Sequence, residues 1–258
     1  MKSPAEIAQS YIKTAQGKTS QKWYKTLILA VLAGAFIAFG AAASTAASAN
    51  ADNATLIKGL VFPVGLILVV VCGAELFTGN CLLISPAVGR DIKVAGLFKN
   101  WSIVYAGNLL GGVLIAVLVV FSHVQSPAVV EACVQAAAAK SNMGFGDALL
   151  RGILCNMLVC LAVWASMASS TTAGKILAVY MPVLAFVVCG FEHSVANMYY
   201  LSAGLMASAE YAIRAAGLNI GNALLYCLLP TTIGNIIGGC LIGALYHIVY
   251  RTKMPKSE

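Results

Sequence analysis

Hydrophobic and polar positions fall in long blocks along this chain, not in the short periods of a soluble domain. Leu27 to Ala49 carries no charge. Further apolar blocks run from Gly59 to about Ser85, Trp101 to Ser122, Gly152 to Gly174, Ile176 to about Ser208, and about Leu218 to Tyr250. A membrane-crossing helix needs about 20 predominantly apolar residues. The blocks therefore predict an all-α membrane protein with six transmembrane helices, the last long enough to run past the bilayer. Glu75 interrupts the second block, and Glu192 with His193 interrupts the fifth.

These interruptions repeat. Cys72 to Asn80 reads CGAELFTGN and Cys189 to Asn197 reads CGFEHSVAN. GNLLGG at Gly107–Gly112 in the third block is echoed by GNIIGG at Gly234–Gly239 in the sixth. The chain thus reads as two halves of three spans each. Three is odd, so the second half enters the membrane upside down, giving an inverted repeat whose interrupted helices meet near the midplane. Irregular backbone at that depth is tolerated where it faces protein or a water-filled cavity. Gly73, Gly79 and Gly190 allow such a break. Asn80 and Asn197 are expected to cap freed backbone groups. Glu75 and Glu192 are expected to accept hydrogen bonds from freed N–H groups, with pairing to polar groups of the bundle as the alternative.

Composition agrees with the pattern: 60% of the 258 residues are hydrophobic and 10% charged, where a soluble domain carries about 25% charged residues. A formal net charge of +7 raises the possibility of nucleic acid. The basic residues sit in short connections and tails with no aromatic interleaving, which argues against it. Lys58, Lys140, Arg151 and Arg214 fall on one side of the six spans and the other 12 Lys and Arg on the side of the termini. The positive-inside bias then predicts cytoplasmic termini and an inner, plasma membrane location. Residues 1–25 read as a cytoplasmic amphipathic segment, 26–250 as the channel domain and 251–258 as a cytoplasmic tail. Ser3-Pro4-Ala5-Glu6 is a helix-opening signature. Nothing at the N-terminus reads as a cleavable signal.

Of eight cysteines, seven lie in apolar blocks and Cys133 in a connection, with no CxxC pair. They read as small buried hydrophobes. With three histidines in the chain, no metal-ligand spacing and no cofactor motif appears. An intramembrane enzyme would need a nucleophile with a base, and adjacent His193 and Ser194 diverge on a helix. A neutral-solute facilitator of the water-channel kind is disfavoured because the chain has no Asn-Pro-Ala box. His193 has no counterpart in the first half, where Leu76 stands. A lone intramembrane histidine in the break of a pathway-lining span is a functional candidate.

GAELFTGN at 73–80, KNW at 99–101 with GNLLGG, and GFEHSVANM at 190–198 resemble the formate/nitrite transporter family, which also includes hydrosulfide channels. The resemblance runs from about residue 25 to 250. It implies an aquaporin-like protomer in a homopentamer embedded in lipid, one pore per protomer. The cargo it implies is a small monovalent anion or its conjugate acid. It places the central histidine at His193, its supporting, tautomer-fixing asparagine at Asn156, the facing threonine at Thr78 and the mouth lysine at Lys140. Phe62, Leu66, Leu76, Val159 and Phe186 become the apolar constrictions. An anion pays heavily for desolvation in such a slit. Two routes are open: proton-coupled passage at His193, which is preferred, or passage as an anion. A hydrosulfide channel remains the alternative reading.

Overall fold

The computed structural model of the protein describes residues 1–250. The tail 251–258, with Arg251, Lys253 and Lys256, lies outside the described residues. All regular structure among the described residues is helical. The first half contains α1 (Pro4–Ser20), α2 (Trp23–Ser48), α3 (Ala54–Cys72), α4 (Phe77–Val88) and α5 (Val94–Phe121). The second contains α6 (Pro127–Ser141), α7 (Phe145–Ser166), α8 (Thr172–Val188), α9 (Ser194–Glu210) and α10 (Ile220–Tyr250). Helices α2, α3, α5, α7 and α10 are long and apolar enough to cross a membrane, while α4 and α8 are shorter apolar helices.

The interrupted second span is α3 plus α4, and the interrupted fifth is α8 plus α9. Gly73 (φ 77°) and Gly190 (φ 70°) end α3 and α8 in the left-handed region that glycine enters without strain. A second irregularity divides α3 into Ala54–Val61 and Val64–Cys72, because Pro63 has no N–H to give the ladder. In α10, Ala223–Leu228 winds as a π-helix.

The fourth span differs in place from the sequence expectation of residues 152–174. It begins at Phe145 and ends at Ser166. Asp147 in its first turn complements the N-terminal end of the helix dipole, so the helix starts well before the charge-free block does.

Within each half the first and third long helices pack backbone to backbone. A Cβ added at Gly111 would collide with the Val31 carbonyl, and one at Gly238 with the Ile153 carbonyl. The small-residue pairs Gly107/Gly111 and Gly234/Gly238 therefore close α5 on α2 and α10 on α7 inside one protomer.

Both surface helices are part of the repeat. Ser3 caps α1 through a full capping box with Glu6, whose carboxyl the Ser3 backbone and side-chain hydrogen bonds hold below its ordinary range. Ile7, Tyr11 and Ala15 bury its inner face, and the Lys2 N–H donates to the Ala168 carbonyl after α7. Ser126-Pro127 opens α6 with the same residue pair but without a side-chain capping bond, and Val129, Val130, Cys133, Val134 and Ala137 bury its inner face. The connection that holds Cys133 and Lys140 is thus a docked helix, not a loop. Six cysteines are buried or half-buried; Cys72 and Cys189, next to the break glycines, are exposed, contrary to the expectation for apolar blocks.

Candidate functional site

Each break frees backbone groups that lipid and apolar side chains cannot satisfy. Asparagine does this work. The Phe77 N–H, opening α4, donates to Asn108 Oδ1 at 2.9 Å, while Asn108 Nδ2 donates to the Glu75 and Ala30 carbonyls. In the second half the Ser194 N–H donates to Asn235 Oδ1 at 2.8 Å, and Asn235 Nδ2 donates to the Glu192 and Gly152 carbonyls. Both asparagines are fully buried. They are the Asn of GNLLGG and GNIIGG, functional positions that sequence reasoning passed over. The available signal was a repeated amide in the middle of an otherwise apolar span.

The glutamates take the alternative of the two roles expected, pairing with polar groups of the bundle. Their side chains accept from side chains, not from freed backbone. Glu75 takes Lys18 Nζ at 2.8 Å on one oxygen and Asn80 Nδ2 at 2.6 Å on the other. Glu192 takes Lys140 Nζ at 2.6 Å and Asn197 Nδ2 at 2.7 Å. Asn80 and Asn197 accordingly orient carboxylates and do not cap helices. Each lysine arrives from the surface helix of its own half, so α1 and α6 are each tied to a break by a buried ion pair. Burial opposes the charge on Lys140, but the Glu192 carboxylate outweighs it and holds the ammonium above the ordinary lysine range. The repeat breaks at one neighbour: Asn80 also donates to Asn100 Oδ1, whereas Asn197 donates to the weaker acceptor Cys227 Sγ at 3.2 Å.

Thr78 and His193 meet at the centre. Thr78 is the second residue of α4, and His193 is the N-cap of α9. His193 Nδ1 accepts from the Ala196 N–H at 3.1 Å, and Nε2 lies 2.8 Å from Thr78 Oγ1. With Nδ1 occupied as an acceptor, the neutral ring carries its proton on Nε2 and donates to Thr78. The hydroxyl proton of Thr78 remains available as a donor. Asn156 does not perform this orientation. Its Nδ2 donates to the Thr78 and Asn235 carbonyls, so it fixes the threonine's backbone and links that to the brace of the opposite break. A helix N-cap needs its side-chain acceptor for the first turn, and that requirement sets the tautomer.

Two cavities approach this pair. One, of about 160 Å³, lies beside α6 and is lined by Lys58, Phe62, Lys140, Phe186, Glu192 and His193 among others. The other, of about 700 Å³, lies beneath α1 and is lined by Lys18, Leu66, Glu75, Leu76, Val163 and Lys175 among others. Phe62 and Phe186 meet edge to face at 5.8 Å, and Phe186 stacks on the His193 ring at 6.0 Å. Phe62 and Phe186 thus line the α6-side cavity, and Leu66 with Leu76 lines the α1-side cavity. Val159 is buried but lines neither. His193 lines the α6-side cavity, while Leu76 and Gly79 on either side of Thr78 line the α1-side cavity. Such a pair can offer hydrogen-bond donors to a small solute and gives a hydrated ion no replacement for its water shell.

Five helices long and apolar enough to cross a membrane, in such a fold, define a multi-pass membrane protein. The profile of the formate/nitrite transporter family matches residues 5–249. The chain belongs to that family. It is 39% identical to the uncharacterized transporter YrhG of Bacillus subtilis, over 97% of this chain and 94% of that one. It is 36% identical to the formate channel FocA of Escherichia coli K12, over 96% and 94%. Among solved structures it is similar to a pentameric formate channel with formate bound, with a TM-score of 0.79 at 30% identity, over 88% of this chain and 97% of that one. It also shares an overall fold with an aquaglyceroporin from Plasmodium falciparum, with a TM-score of 0.52 at 15% identity, over 88% and 97%. The aquaporin-like architecture is therefore present.

Proposed function

We propose that this protein passes small monovalent anions of weak acids, formate first among them, with a proton accompanying the anion through the Thr78–His193 junction. The observation that supports this most is the placement of that pair: buried, between two vestibules, with aromatic rings against one side and leucines lining the other. A bare anion entering the slit loses water that two hydrogen bonds do not replace. Protonation in the vestibule removes that penalty, and the neutral acid then needs donors and acceptors rather than a countercharge. His193 Nε2–H and the Thr78 hydroxyl supply the donors. Because Nδ1 is held by Ala196, the histidine acts as a hydrogen-bonding group, and the proton comes from vestibule water.

Formate is favoured over nitrite and hydrosulfide by the relatives named above; the slit residues accommodate all of them. By the same likeness the working unit is a homopentamer with one pathway per protomer. The Lys and Arg distribution supports a plasma membrane location with the α1 side cytoplasmic. Flux into proteoliposomes across an imposed pH gradient tests the reading, offering formate, nitrite, hydrosulfide and chloride to the intact protein and to His193→Asn. Weak acids should follow the pH gradient and slow in the variant, with chloride excluded. Flux that ignores the gradient and persists in the variant would make the protein an anion channel with His193 as a filter.

A further inference from the structure

The cations that tie α1 and α6 to the breaks are poorly suited to attract an anion. Lys18 and Lys140 each have a carboxylate at 2.8 Å and 2.6 Å, with side chains only 21% and 18% exposed. Each pair is close to neutral as seen from the vestibule. A different lysine stands free in each cavity. Lys58 lines the α6-side cavity and Lys175 the α1-side cavity. Both are half-buried, and among the described residues neither ammonium has an ion-pair or hydrogen-bond partner.

Their positions follow from the repeat. Lys175 stands as far ahead of Glu192 as Lys58 does ahead of Glu75, so the two are equivalent residues on α3 and α8. Lys58 lies one turn before Phe62, whose N–H donates to the Lys58 carbonyl at 2.9 Å. Residues one turn apart share a helix face. Lys58, Phe62 and Leu66 therefore form a single stripe along α3: charge at the mouth, then an aromatic ring, then an aliphatic side chain. On α8 the matching stripe runs from Lys175 through buried Val179 and Val183 to Phe186. Inversion turns these stripes in opposite directions, so each vestibule receives one free ammonium from the helix that leads down to the slit.

We propose that Lys58 is the capture charge for anions entering from the α6 side, with Lys175 its equivalent on the α1 side. This rests on the reading that the protein passes small monovalent anions. The α6-side vestibule depends on its free lysine most. Its charged lining groups are Lys58 and the Lys140–Glu192 pair, whereas Lys2 and Lys13 also line the α1-side cavity. A half-buried charge in a cavity with low-dielectric walls concentrates counter-ions at the point where the slit begins.

Initial formate flux into proteoliposomes of known protein orientation, at low ionic strength, gives half-saturation and maximal rate from each side. Lys58→Gln should raise half-saturation from the α6 side by about threefold or more, because capture and not passage is lost. Maximal rate, and half-saturation from the α1 side, should stay as in the intact protein. Lys58→Arg should behave as the intact protein, and the defect should fade as salt screens the field. Lys175→Gln should shift half-saturation from the α1 side by less, since Lys2 and Lys13 remain. Unchanged half-saturation in Lys58→Gln, or an equal loss in Lys58→Gln and Lys58→Arg, would overturn the assignment while formate transport stood. No formate flux in the intact protein would overturn the transport reading and this inference with it.

Discussion

At the residue scale the molecule depends on a few amides and carboxylates whose partners are fixed. Asn108 and Asn235 each bridge one freed N–H and two carbonyls across a break. Asn108→Leu keeps the volume and removes every bond. The Ala30 carbonyl lies inside helix α2 and keeps the helix ladder, but the Phe77 N–H and the Glu75 carbonyl are left to find other partners. Each such group costs about 1–3 kcal/mol, so the variant should lose at least about 2 kcal/mol. A lowered thermal unfolding midpoint in detergent would show it, and a midpoint equal to that of the intact protein would mean the break does not need its brace. Lys140 makes a second prediction. Its raised pKa means that the ion pair's contribution is complete below the ordinary lysine range and is lost only as pH rises through the raised value. The α6 clamp therefore stays closed throughout neutral pH. Flux of a weak acid between mildly acidic and neutral pH should then track the protonated fraction of the solute and be unaltered in shape by Lys140→Arg. A midpoint of the profile that moved with Lys140→Arg would place a titrating clamp in the pathway.

At the scale of elements, the two tight helix pairs set how the halves are built. Gly111→Ala and Gly238→Ala each force a methyl group against a carbonyl of the facing helix. Overpacking of this kind costs about 1–3 kcal/mol, and the resulting displacement of α5 or α10 carries Asn108 or Asn235 with it. Both variants should melt earlier and pass less formate, while Gly146→Ala, where a new Cβ meets nothing within 4 Å, should do neither. Much of this level was legible in the sequence. Charge-free blocks marked the spans, and the repeated Cys-Gly-x-Glu and Gly-Asn-x-x-Gly-Gly stretches located the breaks and their order. The partners across space were not legible. Glu75 is paired by Lys18 and Glu192 by Lys140, contacts that join residues far apart in sequence through helices α1 and α6. Helix α6 is not charge-free and its Ala-rich end reads as a connection, so its burial emerges only from docking. The His193 tautomer was likewise hidden, because it depends on the Ala196 N–H that becomes available only when α9 starts at Ser194.

At the scale of the whole molecule, each half supplies its own lid as well as its own break. Helix α1 covers the larger cavity, buries Ile7, Tyr11 and Ala15, and hands Lys18 to Glu75. If this lid were an appendage, removing it would widen one entrance and change little else. The ion pair argues otherwise. Without residues 1–20, Glu75 keeps Asn80 but loses its countercharge, and a buried carboxylate stripped of its partner typically costs about 3 kcal/mol or more. The truncated protein should therefore melt well below the intact one. Replacing the carboxylate in the same truncated chain, Glu75→Gln, should recover part of the loss, since a neutral amide no longer needs Lys18. The recovery separates the electrostatic cost from the lost packing of Ile7 and Tyr11, which Glu75→Gln cannot restore. In the full-length chain the same Glu75→Gln change should destabilise instead, because it leaves Lys18 unpaired. Opposite signs for one substitution in two backgrounds would establish that α1 is tied to the break through this pair. Equal signs would mean that the lid rests on the bundle by apolar contact alone, and that the two halves are equivalent in shape but not in how they are held.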